Sequence, residues 1–190
     1  MMRKIGIPAI LALIICAVAI LATTTSTPTE TYEFNASPET VVIFADLQPR
    51  PGPPRENCPH ILVPVLHIWG DGLTYINNAM YDPAATNYAG FLTPEQIKDQ
   101  LSFLERHGFF KSFDLGPVNP AGTWIEMGAN FHTISLMSIS VKYSGGTDFK
   151  PQLLVQLIER LTPFLQPIKA GTPQDQRVLA AESLMKLPCN

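Results

Sequence analysis

Eighteen of the 190 residues are prolines, and they run from Pro8 to Pro188. Each one removes a backbone donor and fixes φ, so it breaks a helix interior and confines a strand to an edge or a bulge. The chain must therefore be assembled from short elements joined by turns, without long uninterrupted helices. Apolar residues make up 46% and charged residues 15%, which is too apolar and too weakly charged for a disordered chain. At 20.9 kDa there is room for one ordinary domain plus extra segments. The net charge of -3 supplies no basic field for nucleic acid.

Arg3 and Lys4 precede an uncharged apolar run at residues 5–22. Two cations before such a run hold that end in the cytoplasm and send the rest of the chain across the membrane. As a helix the run would span about 27 Å, close to the thickness of a bilayer core. A cleaved signal peptide and a retained membrane anchor both fit; the anchor, residues 1–22, is the reading carried forward. Cys16 within the run raises lipidation, but Ile15 before it is not the small residue a lipid signal wants. Without Arg3 and Lys4 the remainder carries 11 basic and 16 acidic residues, a net of -5. Anionic lipid would repel it weakly, so attachment falls to the helix.

Residues 23–38 are rich in Thr and Ser and read as a flexible tether, leaving 39–190 as the extracytoplasmic domain. Residues 40–47 (TVVIFADL) form a β-branched run and a first strand. Five prolines among residues 49–59 make a stiff loop. Residues 60–69 (HILVPVLHIW) form a long strand in which Pro64 marks an edge or a bulge. Gly70-Asp71-Gly72 turns the chain into a hairpin, its glycines supplying positive φ. Residues 77–90 read as a polar loop. Thr93, Pro94 and Gln96 spell a capping box, and Ile97, Leu101 and Leu104 carry the helix stripe that Gly108 ends. Strands are expected over 124–127 and 131–143, the second with a bulge at Met137-Ser138. Pro151 opens a second helix with Leu154, Ile158, Leu161 and Leu165 on one face, and Pro163 frustrates its last turn. Residues 173–187 suit a third helix or a strand. The order predicts an α+β fold: an antiparallel sheet with two or three helices packed on one face.

Candidate chemistry is sparse. The histidines (His60, His67, His107 and His132) fit no H-x-H or H-E-x-x-H pattern, and no C-x-x-C, P-loop, G-x-S-x-G or G-x-G-x-x-G occurs. No cofactor is implied. A hydrolase site would have to be assembled from distant residues, with Asp71 and His67 as candidates; Asp71 between glycines also suits a plain turn residue. Cys58 and Cys189 are the two cysteines beyond the apolar run, and outside the cytoplasm two cysteines usually pair. An internal bridge is the expectation, with free thiols and a link to a partner chain as the alternatives.

Cys58-Pro59, the Gly70-Asp71-Gly72 hairpin, the Leu92-Thr93 helix start and the Gly108-Phe109 helix exit resemble a loose class of small exported bacterial envelope proteins of unknown function. The resemblance covers residues 58–165 and consists of turn and cap chemistry, so it implies a fold and transfers no catalytic residue. It implies an anchored periplasmic domain, although the lipid signal of such proteins is missing here. The expected function is therefore a membrane-anchored interaction domain, a non-catalytic accessory subunit whose partner is another protein of a membrane complex. Its expected contact residues are Pro49, Pro51, Pro53, Pro54 and Pro64. The alternatives are an envelope protein binding a small ligand or peptide in a sheet groove, and the hydrolase.

Overall fold

A computed structural model of the chain describes residues 32–48, 62–79, 82–111, 123–132, 136–145 and 151–184. They form a seven-stranded antiparallel sheet and three α-helices, an α+β fold. The strands are β1 (Val41–Gln48), β2 (Val63–Trp69), β3 (Leu73–Ile76), β4 (Tyr88–Phe91), β5 (Thr123–His132), β6 (Leu136–Gly145) and β7 (Gln166–Pro167). Across the sheet they run β6-β5-β1-β2-β3-β4-β7. The helices are α1 (Pro94–Arg106), α2 (Gln152–Leu161) and α3 (Gln176–Leu184).

One sheet face carries the main core. Side chains alternate along a strand, so Ala45, Leu66, Ile68, Ile76, Ile125, Met127, Ala129 and Phe131 share that face. They bury against Ile97, Leu101 and Leu104 of α1 and Leu154, Leu157 and Leu161 of α2. α1 begins as the capping box predicts: the Thr93 hydroxyl accepts from the Gln96 amide, and the Gln96 side chain accepts from the Thr93 amide. Gly108 leaves the helix at φ +74°, a conformation costly for any side chain. Arg160 of α2 ties the two helices together. It donates to Asp99 at 2.6 Å and to the buried Gln100 at 3.1 Å, and lies 4.7 Å over the Phe103 ring. Past Leu161 the chain tightens into a 3-10 turn at Thr162–Phe164, where Pro163 cannot continue the helix.

Several expectations need correcting. Pro64 lies at a bulge, where the β1–β2 register shifts between Ala45 and Asp46, but β2 is paired on both sides and is no edge. Asn77 makes this possible: its side chain donates to the Pro64 carbonyl at 3.1 Å and its amide to the Val65 carbonyl at 2.9 Å. The supposed polar loop at 77–90 ends in strand β4. The strand expected over 131–143 is two: β5 ends at His132, β6 starts at Leu136, and their ten-pair register has no bulge. Residues 32–38, assigned to the tether, belong to the fold. Tyr32 is buried against Phe131 and Phe110, and Glu33 bridges to His132. In the Gly-Asp-Gly turn only Gly72 has positive φ; Gly70 is needed because the Asn35 and Ser37 carbonyls pass where a Cβ would sit. The helix-or-strand question at residues 173–187 resolves as helix α3.

α3 does not join the main core. Trp69, Leu73 and Tyr75 point to the sheet face opposite Leu66, Ile68 and Ile76, and there they meet Val178 and Ala181 of α3. Two helices thus share one face and the third covers part of the other.

Candidate functional site

The half-covered face is where polar and aromatic side chains gather. The β1–β2 and β1–β5 registers place Phe44, Asp46, His67 and Glu126 together on it, beside the β3–β4 patch that α3 covers. Among the described residues these four are only partly buried. His67 Nε2 donates to Asp46 Oδ1 at 2.7 Å, with about one-sixth of each side chain exposed (16% and 15%). Trp69 stands edge-on to the imidazole, ring centres 5.3 Å apart. Glu126 lies directly opposite Asp46 and faces Lys142 at 3.8 Å, so a cation at each end flanks two adjacent carboxylates whenever His67 is protonated.

An Asp-His pair is two parts of a Ser-His-Asp arrangement. The sheet neighbours of His67 on this face include Phe44, Tyr75, Trp69 and Asp46, none of them a hydroxyl or thiol nucleophile of the serine, threonine or cysteine type. The Asp46 carboxylate orients the His67 imidazole.

Asp71 is engaged elsewhere. Its carboxylate accepts two hydrogen bonds from Arg177 of α3, at 3.0 and 2.8 Å, and one from the Leu73 amide at 3.2 Å. Arg177 also donates to Asp175 at 3.0 Å and to the Pro38 carbonyl at 2.7 Å, and lies 5.2 Å over the Trp69 ring. One guanidinium therefore joins the N-terminal arm, the hairpin turn and α3. Hydrogen bonding to it holds the Asp71 and Asp175 carboxyls below their ordinary range, and they in turn raise Arg177 above its own. Asp71 and His67, paired in the hydrolase alternative, thus have separate partners.

Beneath α3 the Tyr75 hydroxyl is buried with no hydrogen-bond partner among the described residues. Burial, and then the Glu182 carboxylate, raise its pKa well above the ordinary phenol value. Such a group is costly to bury, and it marks the α3 interface as imperfectly matched.

Among the described residues the exposed large apolar side chains are Leu62, Phe91, Phe164 and Leu179. Phe91 is 63% exposed at the end of β4, and Phe164 is 48% exposed in the 3-10 turn. Their segments touch: a Cβ on Gly90 would lie 3.1 Å from Leu165 and 3.5 Å from the Phe164 carbonyl. Leu179 is half exposed on the outer side of α3.

Of the residues singled out from sequence, Pro49, Pro51, Pro53, Pro54, Cys58, Cys189 and the run at 5–22 lie outside the described residues. Pro64 is described and is buried in the sheet, so it offers no contact surface. Among the described residues no helix is long and apolar enough to cross a membrane, and no group of three or more His, Cys, Asp or Glu could hold a metal ion. Sequence reasoning missed Tyr75, and also Asp46 and Arg177, whose partners His67 and Asp71 lie 21 and 106 positions away. It also missed Phe91, which directly follows the supposed polar loop at 77–90. No family model matches the chain, and neither a curated protein nor a solved structure is detectably similar to it.

Proposed function

We propose that this chain is a membrane-anchored extracytoplasmic domain that works by contact, as an accessory subunit docked on a protein partner. The observation that carries the reading is the pair of exposed phenylalanines, Phe91 and Phe164, on touching segments at the β4 end of the sheet. Large aromatics left exposed are what a docking surface uses and what a surface without a partner avoids. Asp71, one of the residues that looked most catalytic, supports it too, since Arg177 engages its carboxylate. The anchor at residues 5–22 supplies attachment in this reading. The test is isolation of the full chain from native membranes in mild detergent, beside Phe91→Ser with Phe164→Ser. A stoichiometric partner present with the native chain and lost from the double variant supports the reading. A chain that comes alone in both cases rejects it.

One second reading has its own support. The partly open row Phe44, Asp46, His67 and Glu126 could hold a small ligand or peptide with a cationic and an aromatic part. Amide chemical-shift changes confined to that row when the protein is titrated with cationic peptides would favour it over docking.

A further inference from the structure

The two edges of the sheet are finished differently. At one end, the two-residue β7 lies over β4 and brings Pro167, which has no donor to offer a further strand. At the other, β6 pairs with β5 along ten residues and, among the described residues, with no strand on its outer side. β6 (LMSISVKYSG) has no proline, and Lys142 is its one charge. Among the described residues Lys142 is thus the one device that blunts this edge. The core also runs out here: Met137, Ile139 and Tyr143, all on the main-core face, pack against the core but remain only partly buried.

We propose that the protein forms a two-fold dimer in which β6 pairs antiparallel with β6 of a second copy, centred on Ser140. The residue pattern selects this register. Directly opposed residues point to the same side of a sheet. For the apolar stripes of both copies to join on one face, the axis must pass through a residue, because a one-position slip would set apolar against polar sides. An axis at Ser140 uses nearly the whole strand. It sets Ile139 against Val141 and Met137 against Tyr143 on the core face. On the other face it sets Ser138 against Lys142 and Ser140 against itself. The two lysines then stand roughly 13 Å apart along the strands, beyond the screening length of about 8 Å at physiological salt. No like charges oppose one another, and each copy extends the half-covered stripe of the other. The joined sheet has fourteen strands, and the Phe91 surface at its far end is untouched.

Ser140 is exposed, so charged substitutions there leave the fold intact. The experiment is light scattering with size exclusion on the full chain in mild detergent, for the native protein, Ser140→Glu and Ser140→Lys, with circular dichroism to verify folding. The native chain is expected to dimerise. Each variant places like charges face to face at the axis and should raise the dimer Kd at least about tenfold. An equimolar mixture of the two variants should recover the dimer, because Glu then meets Lys. A native chain that stays monomeric, a dimer indifferent to both substitutions, or a mixture that fails to reassociate overturns the proposal.

Discussion

The two faces of the sheet are held by different physics. On the main-core face, α1 and α2 bury continuous rows of Leu and Ile with near-zero exposure, and their one polar tie, Arg160, sits at the rim. On the other face, α3 buries only Val178 and Ala181 and is fastened by Arg177 to Asp71 and the Pro38 carbonyl. Apolar burial scales with area and resists salt and pH, whereas a clamp built on one partly exposed guanidinium does not. The difference teaches that the fold's stability and the attachment of α3 are separable, and the substitutions below should separate them.

The largest effect is expected from truncating the main core. Leu154→Ala or Leu101→Ala should cost about 2–5 kcal/mol through lost burial and the cavity left behind. Denaturant unfolding would register this as a lower midpoint for the whole domain. Arg177→Met should cost less, about 1–3 kcal/mol, because it leaves Asp71 and Asp175 without their charged partner. Its signature is local: faster hydrogen exchange in residues 176–184 with α1 protection nearly unchanged. If α1 loosens equally, the two faces form one cooperative unit and the comparison fails.

Acid should act on the same clamp. The Asp71 and Asp175 carboxyls titrate below their ordinary range in the folded state. Each therefore contributes stability that is complete above the unfolded value of about 3.9 and is lost as pH falls through the lower folded one. Exchange in α3 should be flat in pH, after correction for intrinsic rates, from neutrality to about pH 5. Protection should fall below about pH 4, and the fall should vanish in Arg177→Met. The smallest effect belongs to Tyr75→Phe. Removing a buried hydroxyl that has no partner should leave stability unchanged or raise it by up to about 1 kcal/mol. A loss larger than that in thermal unfolding would mean the hydroxyl is satisfied.

Much of the main-core face was legible in the sequence, because its signals are local. The Thr93–Gln96 box, the Leu and Ile spacing of α1 and α2, and the Pro163 stop act within one or two helical turns. The TVVIFADL run likewise announces β1. The missed elements have physical reasons. β4 is four residues, Tyr-Ala-Gly-Phe, too short and too poor in branched side chains to announce a strand. In the sequence, Ile134 and Leu136 continue an apparent alternation past His132, where β5 ends. Tyr32 is one of two aromatics, with Phe34, in a Thr-rich stretch, and it is buried by the rings of Phe110 and Phe131, far along the chain. The candidate site was less legible still. His67 stood out, but the Asp46 that pairs with it sits in an apolar run. Arg177, which decides what Asp71 does, lies 106 residues beyond its partner.

The docking claim turns on which surface matters, the exposed phenylalanines or the Asp46–His67 row. The direct measurement is partner recovery from native membranes in mild detergent, for full-length His67→Ala and for Phe91→Ser with Phe164→Ser, each verified as folded by circular dichroism. The account predicts that His67→Ala retains the partner at the native stoichiometry and that the phenylalanine variant loses it. Loss of the partner from His67→Ala while the phenylalanine variant keeps it would contradict the account and move the working site to the half-covered face.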